Sequence, residues 1–260
     1  MSRTFAAATA RLPHGWGDLG RQIGILVSVD LAYTFVRGIV DSERAVAFAH
    51  GQQVMDLEKS IGTFFEPSLQ AFFLPAQWVV DFANQVYLNA QFSIAIGFLL
   101  WLYMFRNDAY YFVRNMFVVA MGIALVGYTV YPTAPPRMFP EYGFVDTLSA
   151  YSDVGHDSSL AKIFINPYAA VPSMHCAFAM MIGGTGVILC RHWLSKAWWA
   201  CWPLLVCWVT IVTANHYWVD AALGWIVALA AALAALRLAR VRPEAWAFRV
   251  RPELPREAEA

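Results

Sequence analysis

The run His216-Tyr217-Trp218-Val219-Asp220 puts a carboxylate four residues after an imidazole. On a helix these two side chains share one face. Asp220 then accepts one imidazole N–H and leaves the other ring nitrogen ready to attack, which makes a nucleophile with its orienting partner. A second histidine, His175, closes the run Pro172-Ser173-Met174-His175 and is positioned to donate a proton to a leaving group. Arg137, after Pro135 and Pro136, carries the side chain best suited to grip phosphate oxygens by paired, charge-assisted hydrogen bonds. Ser173 and Asn215 are placed to cap the helices that follow them. The two helix N-termini then offer unpaired N–H groups and partial positive charge to an anion. The chemistry this set performs is displacement at phosphorus. His216 attacks in line, a phosphohistidine forms, His175 protonates the departing alcohol oxygen, and water or a second alcohol completes the cycle. His216, Asp220 and His175 are the expected catalytic residues, and Arg137, Ser173 and Asn215 the expected phosphate-binding ones. The scheme needs no metal and no other cofactor, because charged donors supply the electrostatic stabilisation.

Each of these residues has a plainer reading. A single histidine at a membrane boundary is ordinarily an interfacial hydrogen-bonder, and His14, His50, His156 and His192 are taken that way. A lone arginine there ordinarily snorkels to the headgroups. What separates His175, His216 and Arg137 is their combination: helix starts on one side of the chain, a carboxylate at i+4, and a proline-braced guanidinium.

The elements that must hold these groups are membrane helices. Apolar residues make up 59% of the chain and charged residues 14%, well under the usual quarter. Several stretches are long enough to cross a hydrocarbon core of about 30 Å. Spans are expected near residues 20–40, 77–105, 109–131, 173–190, 197–214 and 216–238, so the fold expected is an all-α integral membrane bundle of six transmembrane helices. Six spans put both termini on one side. That side, with the turns at 105–108 and 191–196, holds twelve basic residues, Arg3, Arg11, Arg21, Arg106, Arg191, Lys196, Arg237, Arg240, Arg242, Arg249, Arg251 and Arg256. The opposite side holds five: Arg37, Arg44, Lys59, Arg137 and Lys162. By the positive-inside rule both termini are cytoplasmic and the histidine motifs face the periplasmic or extracellular side. A formal net charge of zero gives no basic stripe for a nucleic-acid partner. The sequence carries no signal for an oligomeric state.

The domain organisation follows: a cytoplasmic tail over 1–19, a membrane catalytic domain over 20–240, and a loosely ordered cytoplasmic tail over 241–260. The first 19 residues lack an apolar stretch, so a removable signal peptide is not expected. Within the domain, residues 41–73 are too charged to cross. Ala45, Phe48, Ala49, Val54, Leu57, Ile61, Phe64 and Phe65 recur at near-helical spacing, with Glu43, Arg44, Gln52, Gln53, Asp56, Glu58 and Lys59 between them. Helices lying in the headgroup layer have this pattern. A soluble cap packed on the bundle has it too. The outward loop 132–172 is stiffened by proline at both ends and is expected to carry the active site.

The second span carries Asp81, Gln85 and Asn89 at i, i+4 and i+8, with Asn84 beside them. Such groups are costly in hydrocarbon unless paired or hydrated. They line a headgroup pocket together with Tyr168, or they bond between helices. Cys176, Cys190, Cys201 and Cys207 lie in apolar runs without metal-ligand spacing and are read as inert core thiols. Tyr110, Tyr111, Trp198, Trp199 and Trp202 are read as interfacial belt aromatics.

The ordered set APPR (134–137), NPYAAVPSMH (166–175) and NHYWVD (215–220) resembles the three signature motifs of the type 2 phosphatidic acid phosphatase superfamily, in the branch of the inositol phosphorylceramide synthases. The resemblance runs from the first span through the sixth. It implies a six-helix membrane bundle with His216 as nucleophile, Asp220 as its orienter and His175 as general acid. The chain departs from the phosphatase pattern at Val130, at Met174 in place of glycine, and at Val209-Thr210 in place of Ser-Arg. Two phosphate ligands of that pattern are missing. The inositolphosphotransferase branch tolerates these changes, so they favour transfer of an inositol phosphate-type headgroup from a phospholipid or other lipid phosphate. The alternative is a lipid phosphate or polyprenyl (di)phosphate phosphatase that uses water. A small-solute transporter is the leading non-enzyme, with the polar stripe as its path, but no internal repeat supports it. A membrane scaffold has no use for the histidine–aspartate pair.

Overall fold

The computed structural model describes residues 12–39, 44–90, 93–151 and 168–242. Ten α-helices occur among them: α1 (Gly15–Ile39), α2 (Arg44–Ser60), α3 (Glu66–Phe73), α4 (Gln77–Ala90), α5 (Ser93–Phe105), α6 (Asn107–Val130), α7 (Thr147–Tyr151), α8 (Met174–Leu189), α9 (Trp193–Val212) and α10 (Trp218–Val241). No strand occurs among the described residues. The all-helical membrane fold expected from composition is the fold observed.

Among the described residues four helices are long and apolar enough to cross a membrane: Gly15–Val36, Asn107–Val130, Trp193–Val212 and Trp218–Val241. The expected continuous span 77–105 is instead two helices, α4 and α5, bent by 49° at their break; taken as one span they make five. The expected span 173–190 is the 16-residue α8. At about 1.5 Å per residue it covers roughly 24 Å of a hydrocarbon core of about 30 Å, and is shorter than the four long helices. Of the tails expected over 1–19 and 241–260, residues 1–11 and 243–260 lie outside the described residues, as do His156 and Lys162, while α1 already begins at Gly15.

Helix α8 forms the centre of the bundle, packed on α6, α9 and α10. The main core joins Phe117, Ala120 and Ala124 of α6, Phe178 and Ile182 of α8, and Val227 and Ala231 of α10. Close approach of α8 and α10 depends on Gly224, where a Cβ would meet the Ser173 carbonyl oxygen at 2.3 Å. Large apolar side chains cover the outside of α1 and α10, among them Leu31, Phe35, Leu229 and Leu233. In water such a surface is a liability; against lipid it is the expected solution. Three of the aromatics read as interfacial, Tyr110, Tyr111 and Trp202, are instead buried. Their rings fill the core between neighbouring helices. Cys201, read as a core thiol, is exposed on α9, while Cys176 is buried.

The segment expected as amphipathic helix over 41–73 forms α2 and α3. Its inner face turns toward the loop after α6, burying Ala47, Val54 and Met55 with Ala134, Phe139, Phe144 and Tyr217. Gly51 makes that contact possible, because a Cβ there would meet the Phe139 ring at 2.7 Å. The loop that begins at Pro132 is described over residues 132–151 and again from 168. It makes two 3-10 turns, Pro136–Met138 and Pro140–Tyr142, and its first residues pair with the segment before α8 through a Thr133–Ala169 bridge. The ends of α6 and α9 and the starts of α8 and α10 thus meet under one roof.

Candidate active site

The turn between α9 and α10 is built by one carbonyl. Thr210 O accepts the amides of both Asn215 and His216, at 3.0 and 3.2 Å. Ala214 reverses the chain with a left-handed φ of 52°. Its carbonyl accepts the Arg137 amide at 2.8 Å, and the Tyr217 hydroxyl donates to Ala134 O at 3.1 Å. The proline-rich loop is therefore tied by backbone to the turn that carries His216.

His216 is 5% exposed. Its Nδ1 lies 3.4 Å from Asp220 Oδ2, and the same oxygen accepts the Tyr217 amide at 3.1 Å. One carboxylate oxygen so fixes both the ring and the backbone that precedes the helix. Burial first, then the positive charge of Arg137, push the His216 pKa from 6.5 down to about 3, with the Ala170 carbonyl acting in the opposite sense. A neutral imidazole is the form that has a lone pair to give.

His175 sits on the first turn of α8, its ring centroid 5.7 Å from that of His216. Tyr87 of α4 stacks on it at 4.1 Å and 19°. Ser173 is the N-cap of α8, its hydroxyl accepting the Cys176 amide at 3.4 Å. His175 comes from the start of α8 and His216 from the turn before α10, so rings from two separate elements lie side by side.

Arg137 reaches the same place from the loop. Its Nη1 donates to Asn215 Oδ1 and its Nε lies 3.9 Å from Asp146. Asn215 does not cap α10 as its position suggests. Tyr217 is the N-cap, because the Asp220 side chain reaches the Tyr217 amide first. Asn215 instead spends its oxygen on Arg137 and its amide on Thr213, at 2.9 Å to Oγ1 and 3.1 Å to O.

The polar stripe of α4 divides. Asn84 is buried and exchanges two hydrogen bonds with Thr147, at 3.2 Å to its carbonyl and 3.1 Å to its hydroxyl, so it pins the loop. Asp81 accepts from Gln77 at 2.8 Å and lines a cavity of about 320 Å³ with Val145, Asp146 and Thr147. Gln85 is exposed. Asn89 bonds its own helix at Gln85 O, 2.8 Å away. Tyr168 packs near Phe48 and takes the Thr133 amide on its carbonyl at 2.7 Å. The five residues expected as one headgroup pocket thus do separate jobs, and of the five only Asp81 lines this cavity.

Four contributors escape the sequence motifs. Tyr87 carries no signal beyond lying one turn after Asn84. Asp146 is remote from every motif. Glu58 reads as part of the charged face of α2, and Glu66 stands out in no pattern, yet both are fully buried. For Glu58 a signal exists, since it falls four residues after Val54 and three after Met55, on the apolar face.

A family model described as the PAP2 superfamily matches residues 52–234. No curated protein and no solved structure matches the chain. The matched region runs from α2 into α10 and contains both histidines, Asp220 and Arg137. The chain belongs to the PAP2 superfamily, whose members are in general phosphatases and phosphotransferases acting on lipid phosphates.

Proposed function

We propose that this PAP2 superfamily protein transfers a phosphoryl-linked headgroup, of the inositol phosphate type, between a lipid and an alcohol by way of a phosphohistidine. The observation that carries the reading is the placement of His216, held by Asp220, beside His175, with ring centroids 5.7 Å apart. In the first step His216 Nε2 forms a bond to phosphorus while the P–O bond to the leaving group breaks. The imidazolium of His175 gives its proton to the departing oxygen. In the second step an acceptor hydroxyl gives its proton to His175 and attacks phosphorus, and the P–N bond to His216 breaks. Arg137 and the first turn of α8, capped by Ser173, face the developing negative charge. Asn215 serves by holding the guanidinium rather than by touching phosphate.

What favours an alcohol over water as acceptor is the departure from the phosphatase pattern at Val130, Met174 and Val209-Thr210. We further propose six membrane crossings, with α4 and α5 together making one and α8 another, both termini cytoplasmic and the site opening to the opposite side, as the basic residues divide. In this reading α2 and α3 lie at the outer membrane surface.

The test is turnover by purified protein of an inositol phospholipid labelled in its headgroup, with and without a lipid alcohol as acceptor. The expected result is a labelled lipid product that depends on the added alcohol, an acid-labile, base-stable phosphoenzyme, persistence of activity in EDTA, and loss of product and phosphoenzyme in His216→Ala at unchanged folding. Release of free inositol phosphate alone, or of inorganic phosphate from a lipid phosphate monoester, would assign the water-using alternative. Turnover surviving His216→Ala would end the mechanism.

A further inference from the structure

The first amides of α10 do not face open space. Tyr217 N–H is taken by Asp220 Oδ2 at 3.1 Å, Trp218 N–H by Glu66 Oε1 at 3.1 Å and Val219 N–H by Glu58 Oε1 at 3.3 Å. Three carboxyl groups from α2, α3 and α10 therefore occupy the start of the helix that carries Asp220. Glu58 and Glu66 are each 0% exposed and within hydrogen-bonding reach of each other. Among the described residues Glu58 Oε2, Glu66 Oε2 and Asp220 Oδ1 have no donor. A buried acceptor without a donor is costly, and two bare carboxylates side by side repel. One proton held between the glutamates removes both problems: it gives their orphan oxygens a partner and leaves each Oε1 to its amide.

We propose that Glu58 and Glu66 form a proton-sharing carboxyl pair that positions the nucleophile, fixing the first turn of α10 and through Asp220 the ring of His216. They are positioning residues and touch no substrate. The connection is reinforced from the same side, where the Trp218 indole donates to Thr63 Oγ1 at 3.2 Å and the Thr63 amide returns to Glu58 O at 2.8 Å. The proposal rests on His216 being the nucleophile of the reaction above.

The charges acting on the pair are acidic. Glu58 faces Glu66 from α3 and Asp220 from α10, with the Tyr217 phenol beside them. Arg137 acts on His216 on the far side of Asp220. Lys59, the neighbouring cation, turns to Asp56 at 3.6 Å and to the Tyr142 ring. Burial first, then the charge of Glu66, raises the Glu58 pKa from 4.5 to about 9. The native state therefore keeps a proton that the unfolded chain releases. The stability this proton contributes is complete below about pH 4.5 and is lost as pH rises through about 9. Above that, repulsion loosens the turn that holds Asp220.

The experiment uses the full chain in detergent, with phosphate-ester turnover and thermal unfolding each followed across pH 4–11. Glu58→Gln keeps a carbonyl for Val219 and offers an N–H to Glu66, so it stands in for the protonated acid. It is expected to keep kcat at pH 7 within about twofold, to move the alkaline fall of kcat up by about one pH unit or more, and to flatten the dependence of unfolding temperature on pH. Glu58→Leu and Glu66→Leu, which fill the space but accept nothing, are expected to lower kcat about tenfold or more with KM nearly unchanged. Equal kcat in Glu58→Gln and Glu58→Leu, or superimposable pH profiles for wild type and Glu58→Gln, would overturn the proposal. The unfolding measurement involves no reaction, so it decides the shared proton even if His216→Ala retains turnover and the phosphotransfer reading falls.

Discussion

Two buried polar clusters lie toward opposite ends of α6, and they are finished differently. Near its start, Arg114 donates through Nε and Nη2 to Asn115 Oδ1 at 3.1 and 2.7 Å and through Nη1 to Gln22. Gln22 donates onward to Asp18 at 3.1 Å, and Asp18 also accepts from the hydroxyls of Tyr103 and Tyr111 at 2.9 and 3.1 Å. Among the described residues, no member of this cluster has a buried polar atom left without a partner. Beyond the other end, about 24 Å along the helix, the histidine site leaves three carboxyl oxygens without donors. A closed network such as that of Arg114 clamps α1 to α5 and α6 and has no capacity to exchange anything. An open one has places for protons, and it surrounds the groups proposed to move them. Burial of charge is common to both clusters; what separates them is whether the hydrogen bonding among the described residues is complete.

That contrast predicts opposite phenotypes for substitutions at the two ends. Asp220→Asn keeps an acceptor for the Tyr217 amide but presents the wrong partner to the imidazole. It is expected to lower kcat by about 10²–10⁴-fold with the unfolding temperature in detergent preserved. Arg114→Met is expected to do the reverse, lowering stability by about 3–5 kcal/mol because Asp18 loses its nearby countercharge, while kcat per folded molecule stays at the wild-type value. If Arg114→Met instead abolished turnover in folded protein, the division between clamp and site would be wrong.

Gly224→Ala joins the two kinds of effect. The new methyl collides with the Ser173 carbonyl, so a loss of about 1–3 kcal/mol is expected with a several-fold fall in kcat as the turn carrying His175 is displaced. Tyr111→Phe removes one of the two phenol donors to Asp18 and is expected to cost about 1 kcal/mol with no kinetic change. The smallest expected effect is a flat line. His216 protonates only at about pH 3, so kcat/KM for a phosphodiester with a good leaving group should show no nucleophile titration between about pH 7 and about 4. An inflection near 6.5, the ordinary histidine value, that persists in His175→Ala would contradict the burial of that ring.

Local patterns make much of the site legible in the sequence. The i+4 spacing of His216 and Asp220 is a property of helix geometry, and Ser173 caps α8 because a hydroxyl just before a helix reaches its free amides. The same local rule fails at Asn215. Asp220, at the third position of α10, supplies the acceptor that the Tyr217 amide needs, and the cap moves two residues along. Periodicity identifies α2 and α3 as amphipathic and puts Glu58 on the apolar face, but its residue type reads as solvent-facing, because a carboxylate ordinarily seeks water.

From composition and spacing the chain determines that it is helical, that it has the apolar stretches of a membrane protein, and that Asp220 lies within reach of His216, because each of these rests on composition or on contacts within one or two helical turns. Only the tertiary structure decided that Tyr87 stacks on His175, that Asn215 serves Arg137, and that Glu58 and Glu66 meet the amides of α10. Those partners are separated by 78 to 161 residues, or belong to different helices, and no local pattern records which distant donor a buried acceptor will find.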